Sequence, residues 1–315
     1  MQKIAVLIPC YNEEYTIEKV VNDFKKELPK ANIYVYDNNS KDKTIEKAKK
    51  AGAIVRSESR QGKGNVIRTL FNEIEADIYV MVDGDDTYPA EYVHQLIEPI
   101  IENQADMTVG DRLSNGTYQQ KNKRHFHNFG NKLVRKSINT LFNSKLRDIM
   151  TGYRAFNKRF VKNMPVMSAN FELETEMTLF ALDKKYRIKE IPIEFRERPE
   201  GSKSKVNTFT DGMKVIKTII KMFKDYRPLK FFSIIFIILF SIGILVGIPV
   251  IIEFYKTGYI TKMPSAILAT GIITLSVISE QCGLILHTIV KLDKQNYELN
   301  LLRYKQIEEL KNKNI

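Results

Sequence analysis

Two apolar stretches in the last third of the chain constrain its fold more than any other feature. Phe231 to Ile252 reads FFSIIFIILFSIGILVGIPVII and holds no charged residue, and a helix needs about twenty such residues to cross a bilayer core. The second stretch, from about Pro264 to Val290, is interrupted by Glu280, Gln281 and His287, yet it is long enough to cross with some tilt. The alternative, a pair of buried core helices, suits these lengths poorly. Lys214, Lys217, Lys221, Lys224, Arg227 and Lys230 precede the first stretch, and Lys291, Lys294, Arg303 and Lys305 follow the second. The connection between them carries only Lys256 and Lys262. Basic flanks stay on the cytoplasmic side, so the pattern predicts an integral membrane protein of two spans with cytoplasmic N- and C-termini. Glu280 is a carboxyl inside a span, costly unless paired or hydrated. A polar groove, the headgroup region or a second subunit would each satisfy it, which leaves a homo-oligomer open.

Just ahead of the first span, Met213, Ile216, Ile219, Ile220 and Phe223 recur at helical spacing among lysines. A basic amphipathic helix there is expected to lie on the membrane surface, its lysines toward anionic headgroups, or to pack on the preceding domain. The N-terminus shows no signal peptide, because Met1-Gln2-Lys3 leads straight into a strand-like run. Cys10 and Cys282 have neither metal-ligand spacing nor a disulfide framework, which predicts a reducing, cytoplasmic setting for the main domain. The 49 Lys and Arg residues exceed the 37 Asp and Glu residues by 12, an excess that points to an anionic partner. Nucleic acid, an anionic membrane and a phosphorylated substrate would each satisfy that charge.

The first part of the chain alternates short strands and helices. Strands are predicted over 3–8, 33–36, 54–56 and 78–82, and helices from Asn12 to about Leu28, from Thr44 to Ala51 and from Gly64 to Glu75. Such alternation gives an α/β fold, a mostly parallel sheet covered on both faces, with ligands at the carboxyl ends of the strands. Polar clusters stand at three of those ends, at 9–14, 37–42 and 83–88. The third is Asp83-Gly84-Asp85. Carboxylates two apart at a strand end can reach one divalent cation, and oxygen ligands suit Mg²⁺ or Mn²⁺. Gly84 lets a bulky ligand approach the backbone. The plainer reading is an acidic turn that ends a strand.

Eight segments together carry a resemblance: IPCYNEE at 8–14, VYDNNSKDKT at 35–44, QGKGNVIR at 61–68, VDGDDTYP at 82–89, GDRL at 110–113, TGYRAFNKRF at 151–160, FELETEM at 171–177 and RPEGSKSK at 198–205. In this order they resemble family 2 glycosyltransferases of the GT-A fold, and among them the polyprenyl-phosphate sugar synthases. The resemblance covers about residues 3–228. It implies a GT-A, Rossmann-like catalytic domain over 1–209, an amphipathic interfacial helix over 210–228, transmembrane helices over 229–253 and 264–290, and a cytoplasmic tail over 291–315.

The resemblance also implies roles. Pro9, Tyr11, Asn12 and Glu13 border the nucleotide-sugar, and Asp37 and Asn38 stand where the family usually has two aspartates that read the base. Lys63 lies near the donor phosphates. Asp83 and Asp85, with Gly84 between them, are the metal-binding pair, and Asp85 is the more direct ligand. Thr87 stands where lipid-phosphate synthases often have Gln. Arg112 serves a phosphate, and Arg124, His127 and Asn131 fall in the acceptor-phosphate region. Arg154 belongs to the acceptor side, or forms an ion pair with Glu172, while Glu172 and Glu174 line the sugar pocket or brace arginines. Arg196, Arg198, Lys203 and Lys205 form a late basic loop, with Asp85, Arg112, Arg154 and Lys205 as the catalytic set.

The activity so implied is inverting transfer of a sugar from a nucleotide-sugar, UDP-glucose or UDP-N-acetylglucosamine, to undecaprenyl or dolichyl phosphate. GDP-mannose as donor and a catalytically silent scaffold are the alternatives, and nucleic acid is not an expected partner. A phosphate monoester has its second pKa near 6 and is already a dianionic nucleophile at neutral pH, so it needs positioning more than a strong base. That agrees with a site rich in Arg and Lys. Processive polysaccharide synthases share the fold but typically carry a Q-x-x-R-W motif, and this chain has no tryptophan.

Overall fold

The computed structural model describes residues 2–114, 125–169, 172–199, 217 and 219–313, with the backbone alone at 125–129, 131, 308 and 311–313. Its contacts divide the chain into two units, Met1–Gly212 and Met213–Ile315.

In the first unit the elements run β1 (Ile4–Cys10), α1 (Ile17–Glu27), β2 (Asn32–Asp37), α2 (Thr44–Lys50), β3 (Ile54–Ser57), α3 (Lys63–Glu73) and β4 (Ile78–Met81). They continue through α4 (Val93–Ile101), β5 (Met107–Asp111), α5 (His125–Phe142), β6 (Arg154–Asn157), α6 (Lys158–Asn163), α7 (Leu173–Asp183) and β7 (Ile188–Pro192). The seven strands form one sheet in the order β3-β2-β1-β4-β6-β5-β7. Pairing is parallel except where β6 runs antiparallel between β4 and β5, which makes this the α/β sheet expected from the alternation. All four residues of β4 are buried, as a strand covered on both faces requires. Ile17, Val20, Val21 and Phe24 of α1 share a core with Val6 and Ile8 of β1, Val80 of β4, and Val93 and Leu96 of α4.

The register gathers one edge of the sheet. Cys10 pairs with Asp37 and Leu7 with Met81, so the segments leaving β1, β2 and β4 emerge side by side. Met81 and Val109 both pair with Arg154. The chain just before β6 therefore enters from the edge that β4 and β5 leave. Asp111 pairs with Pro192, which brings the segment after β7 to the same edge. Because β1 lies between β2 and β4, the chain departs in opposite directions on its two sides, the arrangement that opens a ligand crevice in such sheets.

The first helix begins at Ile17 rather than at Asn12. Asn12 has a left-handed φ of 52°, and its Oδ1 accepts from Lys41 N at 2.8 Å. The loop over 11–16 is thereby tied to the loop after β2, and the helix starts beyond it.

In the second unit, residues 219–226 are helical, and two long helices follow, α8 (Pro228–Thr257) and α9 (Met263–Lys313). Both are long and apolar enough to cross a membrane. Proline opens α8, where its missing N–H costs nothing, and Gly258 closes it with φ 73°. The 51 residues of α9 span about 75 Å at 1.5 Å each, well past a bilayer core of about 30 Å. The helix continues beyond the apolar run because residues 291–313 contain neither Gly nor Pro. The two helices pack antiparallel. A Cβ built on Gly283 would stand 2.8 Å from Phe232 Cβ, and one on Gly243 would stand 2.6 Å from Ile273 Cγ1. Glu280 accepts from Ser233 Oγ at 3.0 Å, while its Oε2 is buried without a partner among the described residues.

Candidate functional site

Three loops meet at the carboxyl ends of β1, β2 and β4. Pro9, Tyr11 and Asn12 are half-buried and Glu13 is buried. Asn12 N donates to Ser40 Oγ and Glu13 N to Thr44 Oγ1, each at 2.8 Å. Thr16 Oγ1 donates to Gly84 O at 2.6 Å, fastening the first loop to the acidic turn. Asp37, 2% exposed, accepts from Ser40 N at 3.0 Å through Oδ2. Its Oδ1 is buried with no hydrogen-bond partner among the described residues. A buried carboxylate oxygen left unpaired is costly, so this one is open to a water, an ion or a donor group of a ligand.

Asn38 is bonded into the loop that follows β3. Its Nδ2 donates to Glu58 O and Arg60 O, both at 2.9 Å, and its Oδ1 accepts from Gly62 N at 2.6 Å and Gln61 Nε2 at 3.1 Å. All its capacity goes into the loop that leads to Lys63, and a carboxylate at this position would have nothing to donate.

The acidic turn is held from below and flanked by cations. Gly84 leaves no room for a side chain: a Cβ would fall 2.8 Å from Cys10 Sγ. Lys63, at the first turn of α3, lies 2.5 Å from Asp83 Oδ1 and 2.5 Å from Glu174 Oε1. Burial by itself lowers the pKa of this ammonium, but the charges of Asp83 and Glu174 outweigh it and raise the value far above the usual lysine range. Asp85 receives Thr87 Oγ1 at 2.6 Å on one oxygen and Arg198 Nη2 at 2.5 Å on the other. Burial, and then the nearby charge of Asp83, push the Asp85 carboxyl up, against the opposing pull of Arg198 and Thr87. Arg198 also approaches Glu13, at 4.0 Å. Arg196, two residues earlier, faces outward to Glu91 at 3.0 Å, and its N–H donates to Thr87 O at 3.0 Å.

These residues suit a divalent cation. Asp83 and Asp85 are close enough for one to raise the pKa of the other, and each already attracts a cationic side chain. Among the described residues no group of three or more His, Cys, Asp or Glu side chains forms a closed cage. Two carboxylates, with remaining positions left to phosphate oxygens and water, match the habit of Mg²⁺ at nucleotide sites.

Two arginines of the expected catalytic set, Arg112 and Arg154, are enclosed. Arg112 is 8% exposed and pairs through Nε and Nη2 with both oxygens of Asp148, at 2.7 and 2.9 Å. Burial raises the Asp148 pKa, but the Arg112 charge and hydrogen bonds reverse this and lower it overall. Arg112 Nη1 also donates to Tyr88 Oη at 3.3 Å. Arg154 is wholly buried. It donates to Thr151 O at 3.0 Å, to Thr178 Oγ1 at 3.0 Å and to Ile149 O at 2.6 Å. Burial depresses its pKa to about 10. Arg154 thus braces the 149–151 turn from inside the core. Glu172 is exposed, and of the two expected glutamates Glu174 is the one that pairs with Lys63.

Arg124, Lys203 and Lys205 lie outside the described residues, and His127 and Asn131 are placed on α5 by their backbone alone. The pattern of residues gave no role to Asp148, which pairs with Arg112, or to Tyr88, whose hydroxyl accepts from Gly152 N at 3.0 Å. Both lie within or beside recognisable motifs, yet only the fold brings them together.

A family model for "Glycosyl transferase family 2" matches residues 5–164. The glycosyltransferase AglJ of Haloferax volcanii is 31% identical over 234 residues, which cover 73% of this chain and 75% of that protein. A dolichyl-phosphate hexose transferase of the same organism is 28% identical over 71% of this chain and 95% of its own length. Among solved structures, Mycobacterium tuberculosis glucosyl-3-phosphoglycerate synthase in complex with Mn²⁺, UDP-glucose and phosphoglyceric acid aligns with a TM-score of 0.57 and 19% identity. The alignment covers 71% of this chain and 79% of that one, a likeness of fold.

Proposed function

The chain belongs to glycosyl transferase family 2, and on that premise we propose that it transfers a sugar from a nucleotide-sugar to a polyprenyl phosphate such as undecaprenyl or dolichyl phosphate. The observation that carries this reading is the placing of Lys63 and Arg198 on the two carboxylates of the acidic turn, in a chain with two helices able to cross a membrane. A relative named as a dolichyl-phosphate hexose transferase, matched over nearly its full length, supports the lipid-phosphate acceptor. A uridine nucleotide-sugar, with glucose or N-acetylglucosamine, is the donor we infer.

In this reading Asp83 and Asp85 would hold Mg²⁺ or Mn²⁺, which would neutralise charge developing on the nucleoside diphosphate as it leaves. The chain's own groups do the rest. Asp37 Oδ1 offers an acceptor to a donor group of the nucleotide, and the loop fixed by Asn38 delivers Lys63 to the turn. Arg198, carried on the segment after β7, brings a second positive charge against Asp85. The dianionic acceptor phosphate needs no strong general base, so positioning and screening by basic groups meet the demand. Attack on the face opposite the leaving diphosphate inverts the anomeric carbon, giving a β-linked lipid phosphosugar from an α-linked donor. A polyprenyl chain stays in the bilayer, since each buried CH₂ is worth about 0.8 kcal/mol, and two membrane helices keep the enzyme with its substrate.

The test is to incubate the purified chain with undecaprenyl or dolichyl phosphate, Mg²⁺ and a panel of labelled nucleotide-sugars. Label entering the lipid fraction with one donor, in β linkage by NMR, is the expected result. No transfer from any common donor overturns the reading.

A further inference from the structure

The basic groups that meet the acidic turn are each shared with a second carboxylate outside it. Lys63 stands between Asp83 and Glu174, 2.5 Å from each. Arg198 stands between Asp85, at 2.5 Å, and Glu13, at 4.0 Å. The outer carboxylates come from unrelated places, Glu174 from the second residue of α7 and Glu13 from the loop after β1. Both are buried, at 5% and 8% exposure.

We propose that Glu174 and Glu13 are positioning residues that retain Lys63 and Arg198 when a divalent cation takes Asp83 and Asp85, so that the two basic groups remain in place for the diphosphate. This rests on the functional reading above and extends it to how the site loads. A cation arriving at the turn competes with Lys63 and Arg198 for the same oxygens. With Asp83 alone as partner, Lys63 would be left a buried ammonium without a counter-charge, an arrangement proteins avoid. Glu174 removes that obstacle, because the lysine can move its charge fully onto it with little displacement. Glu13 does the same for Arg198, more weakly, at its longer distance. Once the dication is bound, the turn region carries its charge together with those of Lys63 and Arg198. Those positive charges offset the four carboxylates around them, which removes the net negative charge that would repel a diphosphate and couples cation binding to nucleotide binding.

The test reads Mn²⁺ binding to the full chain in detergent without nucleotide, by the free-ion electron paramagnetic resonance signal, so that turnover plays no part. Glu174→Gln should weaken Mn²⁺ binding about tenfold, within the usual range of coupling between sites, because Lys63 then has only Asp83. Lys63→Gln should strengthen it, and in that background Glu174→Gln should have no further effect. Arg198→Gln, on a part-exposed side chain, should also strengthen binding and provides a variant with little risk of misfolding. A purely structural role for Glu174 would give the same loss with or without Lys63. That outcome, or unchanged Mn²⁺ binding in Glu174→Gln, overturns the proposal. If the wild-type chain binds no Mn²⁺, the metal reading falls and this one with it. If Mn²⁺ binds and the cycle behaves as described while no lipid product forms, the acceptor reading alone fails.

Discussion

Gly152 lies directly against Asp83: a Cβ built on the glycine would fall 2.4 Å from Asp83 Oδ2 and 2.9 Å from Cγ. The TGYR segment thus supplies a wall on which the first carboxylate of the acidic turn rests. Gly152→Ala should push the Asp83 carboxylate off this position. Overpacking of this kind costs about 1–3 kcal/mol, so the fold should survive while sugar transfer and Mn²⁺ affinity each fall about tenfold or more, since small misplacements at a reacting centre are expensive. Transfer assays beside thermal melts would separate the two effects, and wild-type activity in the alanine variant would remove the wall from the account.

Asn38 offers a sharper case, because a conservative change reverses its chemistry. Asn38→Asp would set a carboxylate against the carbonyl oxygens of Glu58 and Arg60, each now receiving a hydrogen bond from the amide at 2.9 Å. Buried acceptors left unsatisfied cost about 1–3 kcal/mol. Denaturant unfolding should show a loss of that order, with weakened donor binding because the loop carrying Lys63 loosens. Stability equal to wild type would contradict this assignment.

For Arg112 the expected outcome depends on which partner is removed. Asp148→Asn leaves a buried guanidinium without its counter-charge and should cost about 3–5 kcal/mol. Replacing both members, Arg112→Met with Asp148→Leu, should recover much of that loss, since an apolar pair of similar volume avoids the desolvation penalty. Urea unfolding of the two variants beside wild type provides the comparison. A double variant no more stable than Asp148→Asn would show that the two residues stabilise through contacts other than this pair, such as the bonds from Arg112 N and Met150 N to Asp148.

The reach of the sequence had a physical boundary. β1 and β4 were legible because continuous apolar runs end in polar clusters, and both strands were expected close to where they lie. β5, β6 and β7 gave no such signal. They have four or five residues each, and β6 carries Arg154, a residue that pattern alone does not assign to a core. Motif likeness marked Lys63, Asp83, Asp85 and Arg198 as members of one site. It could not show that Lys63 pairs with Glu174 across 111 positions or Arg198 with Asp85 across 113, because only sheet closure brings such segments together. Asn38 read as a departure from an expected aspartate, and the reason for the amide became visible only with the two carbonyls in front of it.

Acid should act through a group outside the site. Hydrogen bonds from Arg60, and then from Thr69, hold the Glu58 carboxyl at about 2, below its ordinary 4.5. A carboxylate depressed on folding stabilises the native state fully above its unfolded value, and that contribution disappears as pH falls through the folded value. Wild type should therefore exceed Glu58→Gln in stability at neutral pH, with the gap closing between about pH 4.5 and pH 2. Melts across that range in both proteins would read it. A gap that stayed constant would mean that the charge of Glu58 is not what stabilises the loop.

Asp37 is where stability and binding should separate. Its Oδ2 is satisfied by Ser40 N, while Oδ1 is buried without a partner among the described residues, at the strand end where the proposed nucleotide enters. Asp37→Asn keeps the shape and the Ser40 bond but puts a donor where an acceptor stood. The fold gains and loses little, because that atom has no partner to lose. A nucleotide that donates to Oδ1 would instead meet an N–H, and charge-assisted bonds of this kind are worth about 1.5–3 kcal/mol, which is at least about tenfold in affinity. Calorimetric titration of UDP with Mg²⁺ should show that loss, beside an unchanged melting temperature. Equal affinity in the asparagine variant would mean that no ligand atom meets this oxygen.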